Sequence, residues 1–168
     1  MTEVTPMILP YPYKTYTKVS DISLGELKEM KIKGIILDID GTLMKTKDKW
    51  PTDEVMGWLE SLKKGGILIY VLSNNKHPER VKAFAESLGV NWTYLAKKPF
   101  KKGFYRAAAD LDLEHSEIGV IGDQIFTDML GARLCGMKGL IVDSLDTYLW
   151  YYGPRHFLEK IFWKEKIK

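Results

Sequence analysis

Cysteine is almost absent from this sequence, with Cys135 the single one among 168 residues. An internal disulfide is therefore excluded, and a reducing compartment is favoured. Because Cys135 lies in an apolar helical stretch, we expect it to pack in the core rather than to react. No apolar run approaches the roughly 18 residues of a membrane span, and the N-terminus has no signal-peptide pattern. These absences predict a cytoplasmic protein.

Several functional motifs are missing as well. No Gly-x4-Gly-Lys-Ser/Thr occurs, which excludes a P-loop nucleotide site. The three histidines have no metal-ligand spacing, and we assign them no catalytic role. Zinc-finger spacing and basic-aromatic recognition motifs are absent too, so we expect no nucleic-acid partner. The net charge is only +3, and residues 155–168, with five basic and two acidic side chains, account for that excess.

Apolar runs alternate with amphipathic stretches along most of the chain. Helical spacing of apolar residues occurs after Thr52, after Pro78 and before Leu111, and a fourth helix is predicted over 125–135. Strands are predicted over 34–39, 67–72, 92–95, 117–121 and 140–142. Alternation of apolar strands with helices is typical of a parallel sheet covered on both faces. The fold class is therefore α/β, a Rossmann-like three-layer fold with about five parallel strands.

The chain predicts one domain, because 168 residues suit a single core. Residues 1–33 form an N-terminal extension that packs on the core and holds a short helix over 24–30. Residues 34–143 form the catalytic core, and residues 144–168 form an aromatic and basic C-terminal helix. The gaps between Thr42 and Ser73 and between Asn75 and Lys98 are too short for an inserted lid domain. The fold should therefore be capless.

The most informative stretch is residues 34–43, Gly-Ile-Ile-Leu-Asp-Ile-Asp-Gly-Thr-Leu. It places Asp38 and Asp40 at the carboxyl end of a buried strand, where Gly41 permits a sharp bend. Open α/β folds bind their ligands at this edge of the sheet. A carboxylate there can act as a nucleophile, and a second one nearby can move protons.

Three further strand ends carry polar residues. The second strand ends in Ser73-Asn74-Asn75, which suits phosphate oxygens, and the third is followed by Lys97-Lys98-Pro99. The fourth ends in Gly122-Asp123 with Asp128 five residues later. A nucleophile, an acid-base group, phosphate donors, a cation and metal-binding carboxylates are the parts that phosphoryl transfer requires.

These four motifs, in this order, resemble those of the haloacid dehalogenase superfamily of phosphatases, subfamily IIIA. Almost the full length resembles its small bacterial YqeG-type family, which is related to phosphatases of phosphatidylglycerophosphate. The resemblance rests on an N-terminal Leu-Pro, Gly-Ile-Ile-Leu-Asp at 34–38, Ser-Asn-Asn at 73–75, Ala-Lys-Lys-Pro at 96–99 and Gly-Asp-Gln-Ile-Phe-Thr-Asp-Met-Leu-Gly at 122–131.

The resemblance implies a mechanism with named roles. Asp38 attacks phosphorus and becomes an aspartyl phosphate, and Asp40 protonates the leaving oxygen and then activates water. Mg²⁺ is expected on the Asp38 carboxylate, the Asp40 main-chain carbonyl and Asp123. Asp128 orients Lys98 or a metal-bound water. The residues expected to bind the phosphoryl group are Thr42, Ser73, Asn74 and Lys98.

The resemblance also favours a phospholipid head group, phosphatidylglycerophosphate, as substrate. A soluble or macromolecular phosphomonoester, such as a sugar phosphate, nucleotide or phosphoprotein, stays open as an alternative. An alternative of another class is a receiver-like signalling module that stores a phosphoaspartate, although Asp40 favours hydrolysis. The C-terminal helix either packs on the core or makes peripheral contact with the inner membrane surface through its basic and apolar faces.

Overall fold

The computed structural model describes residues 11–146. Within them, six strands alternate with five α-helices in a three-layer arrangement. The strands are β1 Lys14–Tyr16, β2 Gly34–Leu37, β3 Leu68–Leu72, β4 Asn91–Thr93, β5 Ile118–Gly122 and β6 Lys138–Val142. The helices are α1 Leu24–Glu29, α2 Asp53–Lys64, α3 Pro78–Leu88, α4 Lys101–Leu111 and α5 Leu130–Leu134.

All strand pairs are parallel, and the strand order across the sheet is β1-β6-β5-β2-β3-β4. The central strand β2 is buried along its whole length, and its residues alternate between two cores. Ile35 and Leu37 pack with apolar residues of α1, α2 and α3, whereas Ile36 packs with residues of α4 and α5. The predicted Rossmann-like α/β fold with helices on both faces is confirmed.

The helices begin and end where local chemistry allows. Thr52 accepts a hydrogen bond from the main-chain nitrogen of Val55, as expected of an N-cap. Pro78 occupies the first turn of α3, and Gly89 ends that helix with a φ of 63°, a conformation that costs glycine little. The helix predicted over 125–135 is divided: a π-helical turn, Ile125–Met129, leads into α5.

The N-terminal extension does more than pack on the core. Besides the predicted short helix, it supplies β1, which pairs with β6 and adds a sixth strand to the expected five. Two of the three residues of β1 are exposed, so no apolar run marks it in the sequence.

Cys135 is buried as predicted, and burial raises the pKa of its thiol to about 11. The predicted C-terminal helix lies almost entirely outside the described residues. No helix among residues 11–146 is long and apolar enough to cross a membrane.

Two helical glycines should respond in opposite directions to alanine. A Cβ at Gly131 would lie 2.3 Å from the buried ring of Phe104, whereas one at the exposed Gly57 would meet nothing within 4 Å. We expect Gly131→Ala to lower the free energy of unfolding by about 1–3 kcal/mol through overpacking. Gly57→Ala should raise it by about 0.5–1 kcal/mol. Urea unfolding followed by circular dichroism measures both, and equal effects would contradict the packing described.

Candidate active site

The carboxyl ends of the three central strands bring the first site residues together. Asp38 directly follows β2, Ser73 follows β3, and Asp123 follows β5, and these strands are neighbours in the sheet. The main-chain nitrogen of Asp38 still donates to the carbonyl of Ile121, 3.0 Å away, so the ladder fixes the backbone at the aspartate. The parallel strands thus hold the backbone at Asp38, Ser73 and Asp123.

Three buried carboxylates form a compact acidic cluster at this edge. One oxygen each from Asp38, Asp123 and Asp128 lies within 4.8 Å of the others. Two glycines make room for them. At Gly41, which has a φ of 82°, a Cβ would lie 2.5 Å from Asp123 Oδ2, and at Gly122 one would lie 2.3 Å from Asp128. Side chains at these two positions would displace the carboxylates.

Lys98 joins two members of the cluster. Its Nζ donates to Asp38 Oδ1 and to Asp128 Oδ1, both at 2.6 Å, and the whole residue is only 6% exposed. Burial disfavours the charge on this lysine, but the carboxylates of Asp128 and Asp38 outweigh burial and raise its pKa. Lys98 is therefore a fixed cation between the two carboxylates.

The loop that carries Lys98 is held in an unusual conformation. Leu95 and Lys97 have φ values of 48° and 54°, in the left-handed region that non-glycine residues rarely adopt. Asn74 fixes the main chain beyond them, because its Oδ1 accepts from the nitrogen of Lys98 at 2.7 Å and its Nδ2 donates to the carbonyl of the same residue at 3.3 Å. The Asn74 amide, expected on phosphate, is thus engaged with Lys98.

The two predicted hydroxyl groups lie next to the cluster. Thr42 Oγ1 is 3.1 Å from Asp38 Oδ2 and 3.2 Å from Asp123 Oδ1, so its single proton serves one carboxylate at a time. Ser73 is buried, and its Oγ accepts from the main-chain nitrogen of Asn75 at 3.0 Å, which leaves the hydroxyl proton for another acceptor. The Ser73 proton is therefore available to another acceptor, whereas the Thr42 proton is donated to a carboxylate of the cluster.

The charges of the cluster do not balance. Burial, assisted by the charges of Asp128 and Asp123 and opposed by Lys98, raises the pKa of Asp38 to about 8. Burial and the charge of Asp128 raise the pKa of Asp123 to about 7. Three carboxylates against one ammonium leave two uncompensated negative charges when all are ionised, which is costly in a buried site. An oxygen-only donor set of this charge fits a hard divalent cation.

Asp40 is not a member of the acidic cluster, and its carboxylate has hydrogen-bond partners of its own. Its Oδ2 accepts from Asn75 Nδ2 at 2.7 Å, and its Oδ1 accepts from Arg80 Nε at 3.1 Å and Arg80 Nη2 at 2.9 Å. The sequence-based assignments did not include Asn75 or Arg80 as contacts of this carboxylate. One feature of the sequence could have indicated Arg80. A positive charge in the first turn of a helix interacts unfavourably with the helix dipole, so an arginine there is expected to have a compensating acidic partner.

Fold and site together define a hydrolase class, and comparison with known proteins agrees. A family model for haloacid dehalogenase-like hydrolases matches residues 48–136, a range that begins after the Asp38 motif. The chain is 37% identical over 131 residues, 78% of its own length and 76% of the other protein, to "Probable phosphatase YqeG" of Bacillus subtilis (strain 168). The chain belongs to the haloacid dehalogenase-like hydrolases, and it is a phosphatase.

Solved structures support the fold. An uncharacterized protein from Corynebacterium glutamicum has a TM-score of 0.54 at 22% identity, covering 77% of this chain and 93% of that one. A predicted phosphoglycolate phosphatase from Haemophilus somnus has a TM-score of 0.53 at 15% identity, covering 71% and 89%. At these identities the likeness concerns the fold alone.

The raised pKa values of Asp38 and Asp123 predict how stability depends on pH without metal. Folding favours their protonated forms, so the stability gained is fully present below the ordinary pKa of 3.8 and is lost as pH rises through about 7 and 8. In EDTA we expect Tm to fall across this range. Saturating Mg²⁺ should raise Tm more at about pH 8.5 than at about pH 5.5, because bound carboxylates must lose their protons.

Thermal unfolding of two variants separates this effect from general titration. Asp123→Asn removes one titrating member of the cluster and should give a shallower fall of Tm with pH. Asp143→Asn changes an exposed carboxylate that follows β6 and should behave as wild type. A Mg²⁺-induced shift of equal size at both pH values would contradict a cation site made of these carboxylates.

Proposed function

We propose that this phosphatase hydrolyses phosphate monoesters with Mg²⁺ through an aspartyl phosphate on Asp38. One observation carries the proposal: Asp38 lies at the carboxyl end of the central strand, bonded to Lys98, with the carboxylates of Asp123 and Asp128 beside it. A nucleophilic carboxylate needs cations around it, because a phosphate dianion would otherwise be repelled. The receiver-like alternative is set aside, because the chain belongs to a hydrolase family.

The chain's own residues supply both chemical steps. An Asp38 oxygen forms a bond to phosphorus while the ester oxygen leaves, and Asp40 gives that oxygen its proton. Asp40 then takes a proton from water as the water oxygen attacks phosphorus. The bond between Asp38 and phosphorus breaks, which releases inorganic phosphate and restores both carboxyl groups.

The other site residues bind and orient. Lys98 and the Ser73 hydroxyl stabilise charge on the phosphoryl oxygens, and Thr42 donates to them or to Asp38. Asn74 acts through Lys98, because its amide holds the main chain of that residue. Asp128 also acts on Lys98, since its Oδ1 accepts from Nζ and holds the ammonium against Asp38.

The metal is proposed as Mg²⁺, held by Asp38, Asp123 and the main-chain carbonyl of Asp40. Such an ion, when bound, would offset the excess negative charge of the cluster and of the phosphoryl group. Asp128 belongs to the same group of close oxygens and could take part directly. The all-oxygen character of these donors supports this choice over softer metals.

A phospholipid head group, phosphatidylglycerophosphate, is the proposed substrate. Apolar side chains are exposed in loops at the same edge of the sheet: Phe100 is 71% exposed, Leu95 50% and Leu145 37%. The exposed lysines Lys97 and Lys102 follow β4 near them. Apolar and basic residues together favour contact with an anionic membrane surface. Similarity to the YqeG-type family supports the same substrate. Residues 144–168, which carry basic and apolar side chains, are proposed as a second membrane contact.

No inserted domain covers the site among residues 11–146, since a loop, 38–52, alone separates β2 from α2. The site therefore suits a substrate that is itself part of a large surface. A soluble or macromolecular phosphomonoester, which could also enter an open site, is the alternative substrate class.

Asp38→Asn tests the nucleophile. The variant keeps the shape of the side chain but cannot form an acyl phosphate, so we expect phosphate release from an aryl phosphate to fall by about 10³-fold or more. Asp143→Asn, which alters an exposed carboxylate at the same edge, is the matched control and should retain full activity. Activity of Asp38→Asn within about tenfold of wild type would remove Asp38 from the role of nucleophile.

A vesicle assay tests the substrate class. Wild type should release phosphate from phosphatidylglycerophosphate in anionic vesicles with a higher kcat/KM than from glycerol 3-phosphate or a sugar phosphate. The double variant Lys97→Gln/Lys102→Gln should raise KM for the vesicle substrate about 30-fold, since each lysine near an anionic surface contributes about 1 kcal/mol and the two together about 2 kcal/mol. Its KM for the soluble esters should not change.

The matched control is Lys28→Gln/Lys64→Gln, which removes two exposed lysines from the ends of α1 and α2, before β2 and β3 begin. It carries the same change in net charge and should behave as wild type on vesicles. A preference for soluble esters, or equal losses in the two double variants, would count against a membrane substrate.

A further inference from the structure

Arg80 connects the Asp40 carboxylate with the loop that precedes α2. From the first turn of α3, its Nε and Nη2 both donate to Asp40 Oδ1. The same guanidinium donates to the main-chain carbonyl of Lys45 at 3.2 Å and to that of Asp48. The Arg80 side chain thus connects helix α3 with the loop 38–52, both at the Asp40 carboxylate and at the main chain of Lys45 and Asp48.

The hydrogen bonds of Asp40 are unevenly distributed over its two oxygens. Oδ1 receives two N–H groups from Arg80, and Oδ2 receives one from Asn75. A carboxylate offers about four acceptor positions, so the position that stays free is on Oδ2. Both Arg80 and Asp40 side chains are 20% exposed, so the pair is shielded without being sealed from water.

The guanidinium is suited to hold this arrangement. Arginine is planar and permanently charged, and it makes directional bonds that a lysine cannot reproduce. An isolated β-bridge to Met44 fixes the backbone of Asp40, but it does not restrain rotation of the side chain. The contacts from Arg80 and Asn75 restrict rotation of the carboxylate instead.

We propose that Arg80 is a positioning residue for proton transfer, which fixes the Asp40 carboxylate so that Oδ2 carries the proton that moves. The inference rests on the proposed function, because it requires Asp40 to protonate the leaving oxygen. Arg80 acts through Asp40 and not on the substrate. Proton transfer matters most when the leaving group is poor, so the fall in kcat/KM on replacing Arg80 should be larger for a poor leaving group.

The test compares kcat/KM for an aryl phosphate, whose leaving group needs little protonation, with kcat/KM for an alkyl phosphate. For Arg80→Gln we expect a loss of about 10- to 100-fold on the alkyl ester and under about 3-fold on the aryl ester. Asp40→Asn should show the same selectivity with a larger alkyl loss. The double variant Arg80→Gln/Asp40→Asn should be no worse than Asp40→Asn alone, since Arg80 acts through Asp40.

Two further variants guard against a merely structural effect. Arg80→Lys keeps a charge without the planar fork and should lie between wild type and Arg80→Gln on the alkyl ester. Arg106→Gln removes an exposed arginine of α4 that pairs with Asp110, and it should leave both esters unaffected. Tm of each variant reports whether it is folded.

The outcomes separate this inference from the proposed function. A wild type that hydrolyses neither ester overturns both. A wild type that hydrolyses both esters, with Arg80→Gln losing equally on each or multiplying the loss of Asp40→Asn, overturns the positioning role alone. A rise in KM without a change in the ratio of alkyl to aryl kcat/KM would assign Arg80 to substrate binding and overturn it too.

Discussion

The charge imbalance of three buried carboxylates around one lysine is the constraint on which the rest of the site depends. Asp38, Asp123 and Asp128 come from two strand ends and a π-helical turn, yet their oxygens lie within 4.8 Å. The lysine cancels one negative charge, and protons held at raised pKa values reduce the remainder. In the proposed mechanism, protons and a divalent cation would compete for the same oxygens, and that competition would make activity depend on pH.

Part of the backbone adopts unfavourable conformations where it holds Lys98 next to the three carboxylates. The sheet fixes Asp38 and Asp123 through the parallel ladder, whereas Lys98 arrives from a loop with two strained residues, Leu95 and Lys97. Asn74 reaches across from the end of β3 to hold the main chain of Lys98. Strain of this kind persists where surrounding contacts over-determine a conformation, which is common at functional sites.

Sequence reasoning was most successful where chemistry and periodicity coincide. Apolar runs that end in Asp38, Ser73 or Asp123 reveal both a strand and its polar end, and parallel topology brings such ends to one edge. Strand β1 was not predicted, because its extended conformation depends on pairing with β6, which lies far along the chain. A three-residue segment with two exposed side chains is too short to show the hydrophobic alternation of a strand.

The contacts of Asp40 were missed for a related reason. Arg80 lies forty positions beyond Asp40, and only the fold shows that the first turn of α3 faces the end of β2. Asn74 and Asn75 are adjacent in sequence, but one amide bonds to Lys98 and the other to Asp40. Residue type and spacing give the inventory of a site, whereas the partner of each group is decided by tertiary packing.

The position of β1 has a consequence for self-association. The two outermost strands of the described sheet, β1 and β4, have three residues each, whereas the strands between them have four or five. Exposed backbone at a sheet margin is a template onto which another polypeptide can add. By laying a short segment with Lys14 and Thr15 facing water along β6, the chain covers a longer margin and leaves a brief, hydrophilic one. The segment Lys14–Tyr16 thereby shortens the backbone edge that another chain could pair with.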